Sequence, residues 1–298
     1  MTQAFGKEET VGFIGLGVMG SGMAHCLLRA GYALHVFARR DEAALGLVQA
    51  GAQRAATAAD VGRACPLVFL CLSDDAAVEE VLFGPQGLTQ GLAPGSIVVD
   101  TSTIAASSER RFSQRLAAQG VTLLDAPISG GQQGAESGTL ACMVGGPATA
   151  VEACRGVMST FCKAITHVGD VGAGQTVKSC NQVAVAGALL GVADAIALAT
   201  SQGVDPRVMR EVLLGGTARS FVLEKHGERV IAGDFKPGFR ARLMRKDLRI
   251  ALETARQGGA SLQAAPVAEQ LLGELCDGGR GELDWAALGA LVQEKAAR

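Results

Sequence analysis

The sequence predicts an α/β N-terminal domain of the Rossmann type, with a mainly parallel sheet, followed by an all-α C-terminal domain. Between residue 11 and about residue 167, short apolar runs alternate with helical patterns, as in βαβ units whose sheet is covered on both faces. After about residue 170 only helical patterns continue. We therefore predict a dinucleotide-binding domain over residues 1–168 and a helical substrate and oligomerisation domain over residues 169–298.

Each element of this fold has its own signal in the sequence. Seven apolar runs predict strands: VGFI, ALHVFA, LVFLCL, SIVVD, VTLLDA, LACMVG and AITHV. Between them, Asp41 and Thr57 are predicted helix N-caps, and Pro147 is predicted near the first turn of a helix. In the second domain a long helix is predicted over residues 174–202 and another over residues 206–214.

Composition excludes several classes of partner. The chain has 298 residues, of which 48% are hydrophobic, and a formal net charge of −2 without blocks of like charge. A nucleic-acid or anionic-membrane partner is therefore not expected.

The eight cysteines have neither metal-ligand spacing nor a compact disulfide pattern, so we expect reduced thiols and no metal site. The N-terminus lacks an apolar leader, which predicts a cytoplasmic protein.

One segment resembles a membrane span in part. Residues 183–199 are apolar apart from Asp194, but the segment is short and alanine-rich and has an acid near its centre. We predict a buried, closely packed helix instead. The apolar Ala/Gly surface of this helix also predicts a homodimer or homotetramer.

A glycine-rich loop follows the first predicted strand and begins a helix. Its sequence, GLGVMG, has the GxGxxG spacing of dinucleotide-binding loops in the required βαβ context. The first glycine permits a tight turn, the second lets backbone NH groups approach the pyrophosphate, and the third packs helix on strand. The predicted cofactor-binding residues of this loop are Gly15, Leu16, Gly17, Val18, Met19 and Gly20.

The end of the second strand indicates which dinucleotide binds. An NAD-selective site has an acid there for the ribose 2′-OH, whereas this chain has the sequence FARRD. Arg39 and Arg40 lie where a guanidinium could pair with a 2′-phosphate, and Asp41 is interpreted as a helix cap. We predict that NADP(H) is preferred and that NAD(H) is possible.

Six motifs together resemble the β-hydroxyacid dehydrogenase family, which includes 3-hydroxyisobutyrate dehydrogenase and tartronate semialdehyde reductase. They span nearly the whole chain in the family's order: GFIGLGVMGSGMA, DTST, DAPISGG, GTLACMVGG, GAGQTVKSCNQ and FKPGFRARLMRKDL. The resemblance implies an NAD(P)-dependent oxidoreductase that interconverts a small carboxylate semialdehyde and its hydroxy acid.

The resemblance also implies roles for individual residues. Lys178 matches the family's catalytic lysine, whose ammonium would supply a proton and positive charge to the oxygen of a reduced carbonyl. The implied substrate-binding residues are Ser129, Gly130 and Gly131, which would hold a carboxylate, together with Asn181 and Gln182. The implied further cofactor-binding residues are Leu72, Ser73, Thr103, Phe239 and Lys246.

Positions 181 and 182 bear on the substrate. They lie three and four residues after Lys178, on the same predicted helical face. Many family members have Asn at the second position, and tartronate semialdehyde reductases resemble this chain in having the pair NQ. We therefore expect tartronate semialdehyde and glycerate as the substrate pair.

Alternative functions stay open at this point. The alternative substrates are 3-hydroxyisobutyrate, glyoxylate, succinic semialdehyde and threonate. An imine-reducing relative would typically lack the lysine at position 178, and a non-catalytic dinucleotide-binding sensor would bind cofactor without turnover.

The four histidines lie in none of the motifs, so we expect them to be structural.

Overall fold

The computed structural model describes residues 4–296 and divides the chain into two compact units. The first unit ends at Lys178 and the second begins at Ser179. This division lies within a long helix, whereas the boundary proposed from the sequence, between residues 168 and 169, precedes that helix. Each unit has its own hydrophobic core.

The first unit contains a nine-stranded sheet in the described part of the chain. The strands, in chain order, are β1 (Val11–Ile14), β2 (Leu34–Phe37), β3 (Gln53–Arg54), β4 (Leu67–Leu70), β5 (Ile97–Asp100), β6 (Thr122–Asp125), β7 (Ile128–Ser129), β8 (Leu140–Gly145) and β9 (Cys162–Gly169). Eight of them follow the order β3-β2-β1-β4-β5-β6-β8-β7, and β9 pairs with β8. All pairings from β3 through β6 are parallel, so the predicted mainly parallel sheet is confirmed.

One edge of the sheet departs from the parallel pattern. β8 is antiparallel to both β6 and β7, and β9 is parallel to β8. The two-residue strand β7 has no periodicity of its own and was not among the predicted strands. It lies directly before the glycine pair of the SGG sequence.

Helices cover both faces of this sheet. Those that lie wholly in the first unit are α1 (Val18–Arg29), α2 (Glu42–Gln49), α3 (Ala58–Ala64), α4 (Asp75–Phe83), α5 (Ala106–Ala117), α6 (Gly131–Ser137) and α7 (Ala148–Met158). Side chains alternate between two cores along a strand: Phe69 of β4 belongs to one core, and Val68 and Leu70 belong to the other. Because both faces are buried, the strand sequences are apolar throughout.

Helices begin directly after all three of the residues predicted at helix starts, but Asp41 does not form the predicted side-chain cap. Thr57 and Asp60 form a capping box at α3, in which the Thr57 hydroxyl accepts from the Asp60 NH at 3.0 Å. Pro147 precedes α7 with φ −60°. Asp41 precedes α2 but makes no side-chain cap, because its carboxylate pairs instead with the Arg54 guanidinium on β3.

The second unit is helical, which confirms the all-α prediction. Its helices are α8 (Ala173–Ser201), which begins in the first unit, and then α9 (Pro206–Leu214), α10 (Glu228–Ala232), α11 (Ala241–Gln257), α12 (Ala264–Leu275) and α13 (Ala287–Ala296). Short π-helical segments occupy Val222–Gly227 and Cys276–Arg280, and a 3₁₀ turn of the first unit occupies Leu88–Gln90.

α8 is one helix with two kinds of buried surface. Its buried polar residues come first, at positions 175, 178, 179 and 182, spaced three and four residues apart on one face. The same face then becomes apolar and contributes Ala186, Leu189 and Ile196 to the core of the second unit. Among the described helices, α8 alone is long and apolar enough to cross a bilayer, but length and composition do not separate such a span from a core helix.

Candidate active site

Two glycines of the loop after β1 are required by the packing of the protein itself. Gly15 has φ +96°, and a Cβ there would lie 2.2 Å from the Cys71 carbonyl oxygen. A Cβ at Gly20 would lie 2.0 Å from the Gly15 carbonyl oxygen. Any side chain at these positions would therefore push α1 away from β1 and β4.

Gly17, the middle glycine, is free of such constraints. A Cβ there would meet no atom of the chain within 4 Å, and φ is −71°. Gly17 is the N-cap residue of α1, and no side chain caps the helix. No capping side chain therefore covers this helix end, and the space next to Gly17 is open. An N-terminus of this kind fits a dinucleotide pyrophosphate.

The other loop residues frame this helix start. Leu16 is buried in the core and Met19 packs against the same core. Val18 is 54% exposed.

The carboxyl end of β2 carries exposed positive charge. Arg39 and Arg40 follow the strand and are both exposed. Asp41, the nearest acid, is paired with the Arg54 guanidinium. Its carboxylate is therefore engaged by a cation, and the two preceding arginines add exposed positive charge to this strand end.

The loops after β4 and β5 are hydrogen-bonded to each other. The Leu72 NH donates to the Ser102 hydroxyl at 2.8 Å, and the Thr101 hydroxyl donates to the Leu70 carbonyl at 2.5 Å. Ser73 is turned to its neighbour, with its hydroxyl donating to the Asp74 carboxylate at 2.8 Å. Thr103 is half-buried. The residues implied to line the cofactor thus lie on adjacent loops at the carboxyl edge of a parallel sheet, where ligands bind in folds of this type.

The sequence SGG forms an accessible turn between β7 and α6. Ser129 ends β7 and is half-buried, while Gly130 and Gly131 are exposed. The glycines have φ of +137° and +65°, so both adopt backbone conformations that other residues avoid. This turn leaves backbone NH groups uncovered by side chains, which suits recognition of a small anion.

A buried carboxylate holds the first turn of α8. Asp125, at the end of β6, accepts from the Gly172 NH at 2.7 Å and from the Gln175 NH at 2.9 Å. Burial raises the pKa of Asp125 to about 6. The two NH donors oppose this shift, because they favour the charged form of the carboxyl group. At neutral pH the group is therefore an anion at the positive end of a helix. Asp125 is the first residue of the motif DAPISGG, and no role was predicted for it from the sequence.

Gln175 connects the same helix turn to the loop after β5. Its side-chain NH₂ group donates to the Ser102 carbonyl at 2.8 Å and to the Glu109 carboxyl at 3.0 Å, and its carbonyl accepts from the Ile104 NH at 3.3 Å. Gln175 is 1% exposed. Sequence reasoning missed it, although a glutamine at the start of an otherwise apolar helix was a visible signal.

Lys178 follows Gln175 by three residues, on the same face of α8. It is 7% exposed, which is rare for lysine. A buried ammonium is costly unless it serves a specific partner or reaction, so the position of Lys178 needs a functional explanation.

The second unit contains a separate chain of polar contacts. The Gln182 amide donates to the Asp247 carboxylate at 2.6 Å, and the Asn181 amide donates to the Gln182 carbonyl at 2.7 Å. Lys246 pairs with Asp247 at 3.2 Å. The Gln182 amide is thus held between two protein groups and orients Asn181, which is more exposed.

Phe239, the remaining implied residue, packs against the core of the second unit, and its NH donates to the Asp284 carboxylate at 2.9 Å. Across residues 4–296, no group of three or more His, Cys, Asp or Glu side chains could hold a metal ion.

Two family models together match most of the chain. The model described as the NAD-binding domain of 6-phosphogluconate dehydrogenase matches residues 10–169. The model described as the NAD-binding domain of NADP-dependent 3-hydroxyisobutyrate dehydrogenase matches residues 172–292. The chain belongs to the β-hydroxyacid dehydrogenase family. The predicted family is confirmed, and with it an NAD(P)-dependent oxidoreductase that acts on a hydroxyl group of a small molecule.

Similar proteins support this assignment over nearly the full length. A 2-hydroxy-3-oxopropionate reductase of Escherichia coli K12 is 40% identical over 93% of this chain and 95% of its own. A 3-hydroxyisobutyrate dehydrogenase of Pseudomonas aeruginosa is 36% identical over 96% of this chain and 99% of its own. A solved structure described as Psf3 in complex with NADP+ and 2-OPP has a TM-score of 0.87 and 30% identity, and covers 95% of this chain and 99% of its own.

Because Gly17 and Gly20 have different surroundings, we expect substitution by alanine to affect a different property at each position. Gly20→Ala forces a Cβ against the Gly15 carbonyl, so its free energy of unfolding should fall by about 1–3 kcal/mol. Gly17→Ala meets no protein atom, so its stability should stay at the wild-type value while its affinity for dinucleotide falls. Thermal denaturation and titration with NADPH would measure both. Unchanged NADPH affinity in Gly17→Ala would contradict the placement of the pyrophosphate at this helix end.

Proposed function

We propose that this enzyme reduces tartronate semialdehyde (2-hydroxy-3-oxopropanoate) to glycerate, with NADPH as the preferred cofactor. The observation that supports the proposal most is the 40% identity to a 2-hydroxy-3-oxopropionate reductase over nearly the whole chain. The adjacent amides Asn181 and Gln182 agree with it, because a short substrate with a 2-hydroxyl group needs polar partners of this kind.

The first unit would supply most of the binding groups. The N-terminus of α1 at Gly17 would bind the pyrophosphate, and the loops at Leu72 and Thr103 would line the cofactor. Bound there, the dinucleotide supplies a hydride to the aldehyde carbon. Ser129, Gly130 and Gly131 would hold the substrate carboxylate, through the serine hydroxyl and backbone NH groups.

Lys178 would act as the proton donor. Reduction of the aldehyde develops negative charge on the carbonyl oxygen, and an ammonium close to that oxygen both stabilises the charge and provides the proton. In the direction of oxidation the same lysine, transiently neutral, would accept the proton of the alcohol. Burial strengthens this effect, since a cation at 7% exposure acts with little screening by water.

NADP(H) preference rests on the charge at the end of β2. Asp41 is paired with Arg54, and the guanidinium groups of Arg39 and Arg40 are exposed next to this ion pair. Guanidinium groups suit a 2′-phosphate and give no advantage to an unmodified ribose. NAD(H) would bind more weakly but would still be used.

We also propose a cytoplasmic homodimer or homotetramer that binds neither nucleic acid nor membrane. The most apolar window of α8 has a mean hydropathy of 2.0, yet only 22% of it is buried within the chain. Such a surface is seldom left in contact with water in a soluble protein, and a second copy of the chain would cover it.

A substrate panel tests the proposed reaction. NADPH oxidation would be followed with tartronate semialdehyde, succinic semialdehyde and glyoxylate, and NADP+ reduction with glycerate, 3-hydroxyisobutyrate and threonate. We expect the highest kcat/KM for tartronate semialdehyde, by about tenfold or more, because analogues without the 2-hydroxyl lose a hydrogen bond to the polar groups proposed to bind it. A higher kcat/KM for 3-hydroxyisobutyrate would contradict the proposed substrate. Cofactor binding without any turnover would indicate a sensor instead.

Variants at the end of β2 test the cofactor preference. Replacing Arg39 and Arg40 together by Gln should lower kcat/KM for NADPH by about tenfold to a hundredfold, the value of one or two charged hydrogen bonds, and leave kcat/KM for NADH nearly unchanged. Arg63→Gln, an exposed arginine on α3, is the matched control. If the double variant kept the wild-type preference for NADPH, these arginines would have no role in cofactor choice.

A further inference from the structure

Two buried carboxyl groups of the first unit face each other behind the loop after β5. Asp100 ends β5 and Glu109 lies on α5, and both are fully buried. The first oxygen of each group has an ordinary donor: Asp100 Oδ1 accepts from the Ser102 NH at 2.8 Å, and Glu109 Oε1 accepts from the Gln175 side chain at 3.0 Å. The second oxygens, Asp100 Oδ2 and Glu109 Oε2, are buried without a donor.

A shared proton satisfies both second oxygens at once. The two carboxyl side chains are hydrogen-bond partners of each other, and two ionised carboxylates cannot form such a bond. Burial raises the pKa of Glu109 well above its ordinary range, and the neighbouring charges of Asp100 and Asp125 raise it further. Burial raises the pKa of Asp100 only to about 6, because Ser102 and Glu109 donate to it. The larger upward shift in the pKa of Glu109 and its hydrogen bond to Asp100 favour a proton on Glu109.

Hydrogen bonds connect this carboxyl pair both to the loop after β5 and to the turn of α8 that precedes Lys178. Glu109 accepts from Gln175, which also bonds to Ser102 and Ile104 of the loop after β5. Gln175 lies one helical turn before Lys178 on the same face of α8. Asp100 meanwhile holds the NH of Ser102, whose hydroxyl accepts from Leu72.

We propose that Glu109 is a positioning residue that stays protonated, donates to Asp100, accepts from Gln175, and so locks the cofactor loop of residues 100–104 to the helix turn that carries Lys178. The inference deepens the proposed function, since it rests on Lys178 as the proton donor. Glu109 itself touches neither cofactor nor substrate. Its effect is on the distance between the lysine and the reacting oxygen.

The charged and titratable neighbours explain the pH dependence that follows. Asp125 on β6 and Asp75 on α4 act on the pair as like charges, and Cys71 after β4 is a thiol whose pKa burial raises to about 11. The Arg110 guanidinium lies near Gly172, at the first turn of α8. None of these groups gives the pair a direct donor.

The sign of the pH dependence is fixed by proton binding. Between the ordinary and the raised pKa values of Asp100 and Glu109, the folded protein binds more protons than the unfolded chain. The free energy of unfolding therefore falls as pH rises through that interval. Loss of the Glu109 proton at alkaline pH places two anions in contact, and we expect kcat to fall with it.

Two substitutions at Glu109 test whether its hydrogen bonds position the helix turn that carries Lys178. In Glu109→Gln the amide carbonyl can still accept from Gln175, and the NH₂ group can donate to Asp100 without any titration, so kcat should stay close to the wild-type value and its alkaline decline should disappear. In Glu109→Ala both partners lose their bond, so kcat should fall by about tenfold to a hundredfold while the Kd for NADPH changes little. Exposed Glu211→Gln is the control for charge. Wild-type kcat in Glu109→Ala, or an equal loss in both variants, would overturn the proposal.

Infrared spectroscopy tests the proton without relying on activity or on the folding of Glu109→Ala. At about pH 8, above the pKa of Asp100 and Asp125, the wild-type enzyme should show the C=O stretching band of a buried protonated carboxyl group. The band should be absent in Glu109→Gln and present in Glu211→Gln. Its absence from the wild-type protein, or its persistence in Glu109→Gln, would overturn the proposal. The band with no turnover on any acid would instead overturn the proposed function alone.

Discussion

The carboxylate of Asp125 beneath the first turn of α8 is the constraint on which the rest of the proposed site depends. Two NH groups at the start of the helix converge on it at 2.7 and 2.9 Å. Its environment leaves no space for side chains nearby: a Cβ at Gly145 would lie 2.3 Å from the Asp125 carboxylate, and one at Gly174 would lie 2.5 Å from the Met143 carbonyl oxygen. Gly145 and Gly174 therefore leave the room that this anchor needs. Because a helix is stiff, fixing its first turn also fixes where Lys178 lies.

The anchor explains why an apolar helix begins with a cation and carboxamides. The buried face of α8 is continuous, but its first two turns lie among carboxyl groups and loop carbonyls, and its later turns lie in a hydrocarbon core. Gln175 is polar because it must bond Ser102, Ile104 and Glu109 at once. Gln182 is polar because Asp247 and Asn181 are its neighbours. Lys178 lies between them on the same buried face and is the proposed proton donor.

Local patterns in the sequence predicted the fold well. The alternation of apolar runs and helices predicted every strand except the two-residue strands β3 and β7, and it predicted the helical second unit, because buried strands and helices have local periodicities. The capping box at Thr57 was predictable for the same reason, since both partners lie three residues apart. Asp41 was mistaken for a cap because its partner, Arg54, lies on the adjacent strand β3.

The buried hydrogen bonds that hold the proposed site in place could not be predicted from local patterns. Asp125 meets residues 47 and 50 positions away, and Gln175 meets residues 66 and 73 positions away. Nothing in a single sequence reports such pairings, and a glutamate such as Glu109 in a helix otherwise rich in charge looks like a solvated residue. The resemblance to a family supplied the residues expected to touch ligands, but it did not supply the buried groups that hold them.

The role of Lys178 is tested most directly by single-turnover oxidation of bound NADPH in Lys178→Ala, with and without a small primary amine in solution. If Lys178 is the proton donor, the variant should bind NADPH normally and transfer hydride about a hundredfold to ten-thousandfold more slowly than the wild-type enzyme. Added ethylamine should restore part of the lost rate. A variant that turns over as fast as the wild-type enzyme without added amine would contradict the account.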